Sequence, residues 1–309
     1  MAVLKKMLLW GSENQWLKYH VPNYRFMQKA VKRFMPGEKL EDALREAQAF
    51  NTKKISSIFT YLGENITDLS EAESVTKHYL EVLDKISEKN LPTEISLKLT
   101  QIGLDLSVER TFENFKSIVQ KSHDQKNQVW IDMEGSAYTD LTIDFYRRIK
   151  LSYENVGLCL QAYLYRTDAD ISNLLELFPK IRLVKGAYKE PPAIAFKRKK
   201  DVDQNFFKLA KKLLKASQQG GIRAAFATHD IKLITKIENF AKEMNLSREN
   251  LEFQMLFGIK TAEQTRLSDE GYKLAVLIAY GDAWFPWYMR RLAERPANLT
   301  FVLKNLFTS

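Results

Sequence analysis

Two adjacent arginines, Arg290 and Arg291, are the clearest candidates for a ligand-binding site in this sequence of 309 residues. Successive residues of a helix point about 100° apart, so both guanidinium groups reach one ligand only if it lies close to the helix surface. A carboxylate fits that geometry, because the rigid donor fork of arginine binds it with two parallel hydrogen bonds. The alternative is a surface pair bridged to Glu294 one turn further along the helix.

A second pair of cations, Arg182 and Lys185, lies in and just after an apolar segment. Burying charges in an apolar strand is costly unless opposite charge meets them, so the pair favours a large anionic ligand. Side chains alternate along a strand, and only a turn at Gly186 would let both cations approach one ligand. Thr228 and His229 follow another apolar segment and would add hydrogen-bond donors, although a single histidine is more often structural.

Eight short apolar segments, each ending at a polar residue or a glycine, would position these side chains. They are rich in Val, Ile, Leu, Phe and Tyr, which is typical of buried parallel strands. Helix-like stretches such as Asp203–Ser217 lie between them, with apolar residues at helical spacing. The alternation predicts a (β/α)8 barrel of the TIM type. The predicted strands are Ile55–Tyr61, Ile95–Lys98, Val129–Asp132, Val156–Tyr163, Ile181–Lys185, Ala224–Thr228, Phe253–Phe257 and Leu274–Gly281.

Barrels of this type carry their chemistry at the carboxyl ends of the strands, where side chains from several strands converge. A single polar residue there is usually the start of a loop or a helix cap. A full set around one barrel mouth favours an enzyme. The set comprises Gly63, Glu64, Lys98, Asp132, Met133, Glu134, Gln161, Tyr163, Lys185, Gly186, Thr228, His229, Asp230, Gln254, Leu256, Tyr280, Gly281 and Asp282.

The sequence before the first predicted strand has the pattern of a helical extension. We expect residues 1–49 to form an arm packed on the barrel, and residues 50–309 to form the catalytic barrel, within one domain overall. Apolar residues that include Val31 and Phe34 recur at helical spacing until a Pro-Gly turn, after which the helical period resumes. The last helix, which carries the arginine pair, is expected to lie over the barrel mouth.

Composition bounds the class of protein. A hydrophobic content of 45% supports a large core, and the lack of a signal peptide or bilayer-length apolar stretch predicts a cytoplasmic protein. The one cysteine, Cys159, excludes a disulfide within the chain, and no metal ligands are predicted. The net charge of +9 does not indicate nucleic acid, because the densest basic run, Lys197–Lys200, lacks interleaved aromatic residues. It does suit peripheral contact with the anionic inner face of a membrane.

Seven short segments, in order along the chain, resemble those of the monofunctional bacterial proline dehydrogenases. Each lies at a predicted strand end or on the last helix, and together they span nearly the whole chain after residue 60. The resemblance implies an FAD-dependent barrel that oxidises L-proline to Δ1-pyrroline-5-carboxylate, the first step of proline catabolism. It also implies electron transfer to a membrane quinone, with pyrroline-5-carboxylate dehydrogenase as a pathway partner. The segments are Tyr61–Glu64, Ser96–Leu99, Ile131–Glu134, Leu160–Tyr163, Arg182–Tyr188, Ala227–His229 and Arg290–Glu294.

The same resemblance implies roles for individual residues. In catalysis, Asp132 would orient and charge-balance Lys98 rather than abstract a proton, and Arg182 would stabilise the reduced flavin. Glu64 matches a glutamate that pairs with the first arginine of the last helix, here Arg290, as a gate. The substrate side would comprise Lys98, Tyr188, Leu256, Leu277, Arg290, Arg291 and Glu294, and the FAD side would comprise Met133, Gln161, Arg182, Lys185, Gly186, Ala187, Thr228 and His229.

One residue departs from the family pattern. Leu277 stands where these enzymes usually place a tyrosine against the proline ring, unless the alignment slips and Tyr280 serves instead. Loss of the hydroxyl and the aromatic face would relax discrimination between proline and hydroxyproline. Two readings from other classes stay open: an aldolase barrel with a Schiff base on Lys98 or Lys185, and a scaffold for nucleic acid.

Overall fold

The computed structural model describes Asn14, His20 and residues 31–63, 66–285 and 287–289. Its centre is a closed barrel of eight parallel strands, each hydrogen-bonded to the next in sequence, with the eighth returning to the first. The predicted (β/α)8 barrel is therefore confirmed. The strands are β1 (Ser56–Tyr61), β2 (Thr93–Leu97), β3 (Val129–Ile131), β4 (Val156–Gln161), β5 (Lys180–Val184), β6 (Arg223–Ala227), β7 (Glu252–Leu256) and β8 (Lys273–Tyr280).

Helices surround the barrel and connect its strands. Within the described part of the chain, an α-helix precedes β1, and one lies in each of the seven connections between consecutive strands. The helix before β6 begins four residues before the helix-like stretch that starts at Asp203, so Lys199 and Lys200 belong to its first turn. Within the described residues the α-helices are α1 (Leu40–Asn51), α2 (Leu69–Glu88), α3 (Val108–Asp124), α4 (Thr139–Lys150), α5 (Thr167–Leu174), α6 (Lys199–Gln218), α7 (Ile231–Glu243) and α8 (Thr261–Asp269).

Five strands begin one or two residues before the predicted apolar segments. The added residues are mainly polar, as at Glu94, Lys180, Arg223 and Glu252. Such residues are not part of an apolar run, so the apolar pattern does not include them in the strand. Because side chains alternate along a strand, each lies on the same face as the residue two positions later. That face is the barrel interior, so the amino ends of these strands form a polar floor beneath the barrel.

Successive side chains of β8 point alternately into two different apolar cores, one inside the barrel and one between the strands and the helices. Ala275 and Leu277 face the barrel interior, where they pack with Ile58 and Trp130. Val276 and the other intervening residues face outward, into the large core between the strands and the helices. Strand β8 is thus packed against an apolar cluster on each of its two faces.

The described part of the N-terminal arm packs against the segment that follows β8. Val31, Phe34 and Met35 are buried with Trp284 and Tyr288 in a separate apolar cluster. The ring centroids of Phe34 and Tyr288 lie 5.9 Å apart. Among the residues that the structure describes, no helix is both long and apolar enough to cross a membrane.

Candidate active site

Arg182 is the central charge in the half of the barrel interior that is nearer to the carboxyl ends of the strands. It projects inward from β5 and is only 3% exposed. Its Nε donates to Gln254 Oε1 at 2.6 Å, and its Nη1 donates to Asp132 Oδ1 at 2.7 Å and to Ser96 Oγ at 2.8 Å. The guanidinium carbon also lies 4.6 Å from the ring centroid of Trp130. Two of its three nitrogens are therefore fixed by the protein, and one face is covered by an aromatic ring.

The third nitrogen of Arg182 and the side-chain oxygen of Gln161 are buried polar atoms without a partner. Arg182 Nη2 and Gln161 Oε1 have no hydrogen-bond partner among the described residues. The amide nitrogen of Gln161 donates to the backbone oxygens of Met133 and Glu134, which fixes the direction of the side chain. An unmet buried donor or acceptor costs roughly 1–3 kcal/mol. A donor and an acceptor left unmet near one barrel mouth fit a ligand that carries both kinds of polar group.

Two carboxylates follow β3. Asp132 accepts a 2.7 Å hydrogen bond from Ser96 Oγ in addition to its ion pair with Arg182. The sequence placed Asp132 beside Lys98 and did not indicate these two partners. Glu134 accepts from the hydroxyl of Thr100 at 2.9 Å. Burial raises the pKa of Glu134 above its ordinary value, and the positive charge of Lys98 partly opposes that shift.

Lys185 lies just past the end of β5 and points away from the barrel interior. Its Nζ donates to Asp203 at 2.5 Å and to Asp230 at 2.8 Å, and Lys199 completes the cluster. Burial opposes ionisation of Asp230, but hydrogen bonds from Lys185 and Lys199 outweigh it and hold the pKa of that carboxyl well below its usual range. The charge of Lys185 is therefore largely compensated by the protein itself, whereas Arg182 retains a donor nitrogen that the protein leaves unmet.

The loop after β5 needs glycine at position 186. Gly186 has a φ of +106°, and a Cβ there would lie 2.0 Å from the ring of Tyr163. Glu190 anchors the loop to the segment after β3, because its carboxylate accepts a 2.8 Å hydrogen bond from the backbone nitrogen of Ser136. Between these anchors, Ala187 and Tyr188 are exposed. The loop thus presents both residues to solvent at the barrel mouth.

The ends of β6 and β7 are joined by His229. Its Nε2 accepts a 2.8 Å hydrogen bond from the backbone nitrogen of Leu256, which assigns the proton of a neutral ring to Nδ1. The hydroxyl of Thr228 accepts from the backbone nitrogen of Asp230 at 3.2 Å. These contacts give His229 and Thr228 structural roles at the mouth.

Leu277 and Tyr280 face opposite sides of β8. Leu277 is half-buried and faces the barrel interior. Tyr280 faces the helix layer, where its hydroxyl lies 2.8 Å from His78 Nε2 on α2. The alternative in which Tyr280 serves in place of Leu277 is therefore wrong, because side chains three positions apart on a strand point to opposite faces.

Four of the sequence-predicted site residues lie outside the described part of the chain. They are the proposed gate and the residues of the last helix: Glu64, Arg290, Arg291 and Glu294. The gate between Glu64 and Arg290 and the carboxylate-binding role of the arginine pair therefore stay predictions.

Three residues in contact with Arg182 received no role from the sequence: Ser96, Trp130 and Gln254. Ser96 and Gln254 are polar residues inside otherwise apolar strands, and that was the available signal. Alternation places Gln254 on the same face as Leu256, so the residue could be assigned to the interior. Its partner could not be named, because Gln254 and Arg182 are 72 residues apart and meet only across the closed barrel.

Comparison with known sequences gives consistent matches. The model of the family described as "Proline dehydrogenase" matches residues 43–304. The chain is 37% identical to Proline dehydrogenase 1 of Bacillus subtilis subsp. natto over 98% of this chain and 99% of that one. It is 32% identical to the proline dehydrogenase of Deinococcus radiodurans over 91% of each chain.

Comparison with solved structures supports the same fold. Proline utilization A of Bdellovibrio bacteriovorus, inactivated by N-propargylglycine, superimposes with a TM-score of 0.80 at 23% identity. The match covers 86% of this chain and 32% of that protein, so the present chain corresponds to about a third of the longer one. At this identity the likeness shows that the two share the barrel fold.

Proposed function

The chain belongs to the proline dehydrogenase family and is a proline-oxidising enzyme, and we propose that it binds FAD and converts L-proline to Δ1-pyrroline-5-carboxylate. We further propose that it acts in proline catabolism and passes the electrons to a membrane quinone through peripheral contact with the membrane. Its product would be the substrate of pyrroline-5-carboxylate dehydrogenase. Residues 1–49 would form the arm and residues 50–309 the catalytic barrel. The net charge of the chain, +9, supports contact with an anionic membrane.

The proposal rests on one observation: Arg182 Nη2 is a buried donor that has no hydrogen-bond partner among the described residues. The guanidinium is fixed by Gln254, Ser96 and Asp132, which leaves Nη2 as a buried donor at the carboxyl ends of the strands. FAD, when bound, supplies a two-electron acceptor that takes hydride from the carbon next to the proline nitrogen. A preorganised cation with a free donor suits a cofactor on which negative charge develops. Gln161 Oε1 adds an acceptor for the same ligand.

On the substrate side, the protein's own charges favour the neutral amine of proline. Lys98 and Arg182 place positive charge near the carboxyl ends of β2 and β5, and Arg290 and Arg291 are proposed to hold the substrate carboxylate. Like charge disfavours a further ammonium, so binding should release a proton. Asp132 would act by holding Arg182 and balancing its charge, and the reaction does not require it as a base. Tyr188, Leu256 and Leu277 would line the remainder of the substrate pocket.

The aldolase alternative is weakened for one of its two candidate lysines, Lys185. Its Nζ donates to two carboxylates, Asp203 and Asp230, whereas a Schiff base requires a deprotonated amine. The nucleic-acid alternative is weakened in a similar way, because Arg198 and Lys199 of the basic run are paired with Asp201 and Asp203.

The colour of the protein and the reduction of its flavin by L-proline test the proposed function directly. The purified protein should be yellow and contain FAD, and L-proline should bleach it under anaerobic conditions. Arg182→Met should weaken FAD retention, and its apoprotein should be compared with wild type for FAD affinity and thermal stability. A colourless protein that binds no added FAD, or one whose substrate is trapped on lysine by borohydride, would overturn the proposal.

A further inference from the structure

Arg182 belongs to a closed network that extends from the mouth side of the barrel to its floor. Gln254 Oε1 accepts from Arg182, and Gln254 Nε2 donates to Glu252 Oε1 at 2.7 Å. Glu252 is paired in turn with Arg223, through bonds of 2.7 Å and 2.8 Å. The direction of the Gln254 amide is therefore fixed, because a reversed amide would set its donor nitrogen against the guanidinium of Arg182.

The network returns to Arg182 through Glu94 and Trp130. Arg223 Nη1 donates to Glu94 Oε1 at 2.6 Å, and Trp130 Nε1 donates to Glu94 Oε2 at 2.6 Å. Trp130 is fully buried, and its ring lies next to both guanidinium groups, 4.6 Å from that of Arg182 and 5.1 Å from that of Arg223. We call this closed set the floor ring: Arg182, Gln254, Glu252, Arg223, Glu94 and Trp130.

We infer that the floor ring is a positioning device for Arg182, in which Glu252 acts through Gln254 to fix the direction of the guanidinium and aim Nη2 at the ligand. The ring contributes no group to the substrate or the cofactor except Arg182. Its members come from five strands, so the barrel itself supplies the rigidity. Because this inference rests on the proposed role of Arg182 at FAD, the test must separate failure of the ring from failure of that role.

The charges of the floor ring support a rigid arrangement. Arg223 is shared between two carboxylates, Glu94 and Glu252; burial disfavours its charge, but the two anions raise its pKa well above the ordinary value. Both carboxylates are therefore held as acceptors. The side chain of Glu252 is 7% exposed; its Oε1 accepts from both Gln254 Nε2 and Arg223 Nη2, and its Oε2 accepts from Arg223 Nε. Of the two paths from Glu252 to Arg182, the one through Gln254 is the shorter, because the other passes through Arg223, Glu94 and Trp130.

The test removes one link at a time and measures the flavin rather than turnover alone. Gln254→Met removes the acceptor with little change in volume, and Glu252→Gln removes the charge with little change in shape. Each should raise the FAD dissociation constant of the apoprotein, by on the order of tenfold for Gln254→Met. Each should also make the flavin midpoint potential more negative, because the cation is no longer held in place.

The double variant tests the relay. If Glu252 acts through Gln254, the double variant should show no larger change in midpoint potential than Gln254→Met alone, because the effects of coupled residues do not add. Additive shifts would overturn the relay. Lys121→Met is the control: Lys121 lies on α3 in the helix layer, where its Nζ donates to Asp84 at 2.6 Å. Its FAD affinity should stay within about twofold of wild type.

Thermal unfolding of the apoproteins identifies a purely structural role. If Gln254→Met and Glu252→Gln lower the melting temperature but leave FAD affinity and midpoint potential at wild-type values, the ring is only a brace and the inference is wrong. If Gln254→Met does not fold, Glu252→Gln supplies the same comparison. If Arg182→Met also leaves both flavin properties unchanged, the proposed role of Arg182 fails as well. Changes in Arg182→Met alone would reject only the floor ring.

Discussion

Trp284 and Glu38 join the segment after β8 to the N-terminal arm through a 2.7 Å hydrogen bond from the indole nitrogen to the carboxylate. Trp284 is 1% exposed, whereas Glu38 lies at the surface. The bond therefore satisfies a buried donor with an acceptor that water can reach. The arm contributes both this acceptor and the apolar contacts of Phe34 and Met35.

Loss of this acceptor should destabilise the fold. Glu38→Ala should lower the free energy of unfolding by about 1–2 kcal/mol, because the buried indole donor is left unmet. Glu38→Gln keeps an acceptor and should cost clearly less. Urea unfolding of the two variants, with Glu41→Ala as a control at an exposed position in α1, measures the difference. Equal losses in both Glu38 variants would show that the charge matters and the hydrogen bond does not.

Gly258 brings the β7–α8 loop into contact with the arm. Its φ is +70°, and a Cβ there would lie 1.6 Å from the backbone oxygen of Arg33. Gly271 has a similar φ of +83°, but a Cβ at that position would have no neighbouring atom within 4 Å. Gly271→Ala should therefore cost only the backbone strain, about 1–2 kcal/mol.

The paired substitution isolates the contact with the arm. Gly258→Ala should cost at least about 1 kcal/mol more than Gly271→Ala, because the backbone of the arm must move to accept the methyl group. Denaturant unfolding of both variants provides the comparison. Equal costs would mean that the arm yields freely at this point.

The sequence predicted the barrel because its signals are local. Each apolar run is a strand buried on both faces, and eight of them alternating with helices leave few other arrangements. The polar residues at the starts of strands, such as Glu94 and Arg223, were not predicted to be in strands, because they lie before the apolar runs. Their burial is tolerable only in the closed barrel, where each finds an opposite charge from a distant strand.

The site was predicted in part, for the same reason. Arg182 stood out as a cation inside an apolar strand, but its partners depend on which strands face each other across the barrel. Lys185 looked similar in sequence, yet Asp203 and Asp230 compensate it from two other elements. Alternation alone could have excluded Tyr280 as a substitute for Leu277, since an odd separation changes the face.

The cluster around Lys185 should make stability depend on pH in the acid range. Its ion pairs lower the pKa of Asp230 from the ordinary 3.8, so the stabilisation is present above that value and is lost as pH falls towards the lower folded-state pKa. Lys185→Met should therefore destabilise the apoprotein near neutral pH. The difference from wild type should shrink as the pH falls below 3.8.

Urea unfolding at several pH values between neutrality and the acid limit measures this dependence. Lys189→Met, at an exposed position of the same loop, is the control for loss of a positive charge. A stability difference for Lys185→Met that stays constant across the acid range would show that the ion pair with Asp230 contributes nothing. The apoprotein is used so that any contact of Lys185 with FAD does not enter the result.

Leu277 offers the sharpest test of substrate range. It faces the barrel interior from β8, where it packs with Ile58 and Trp130. The resemblance predicts that it occupies the position of a tyrosine in the family. Leu277→Tyr would add an aromatic face and a hydroxyl to the proposed pocket. A ring substituent such as the hydroxyl of hydroxyproline would then meet a closer wall.

Leu277→Tyr should increase the preference for proline over hydroxyproline. Because one small group in a pocket is worth about 1–3 kcal/mol, the ratio of kcat/KM for the two substrates should rise by a factor on the order of ten to one hundred. Leu277→Met keeps an apolar side chain of similar volume and should leave the ratio near that of wild type. Both variants must be loaded with FAD to the wild-type level before the kinetics are compared. An unchanged ratio in fully loaded Leu277→Tyr would place residue 277 away from the substrate ring, because a new hydroxyl and ring in contact with the substrate would alter the selectivity.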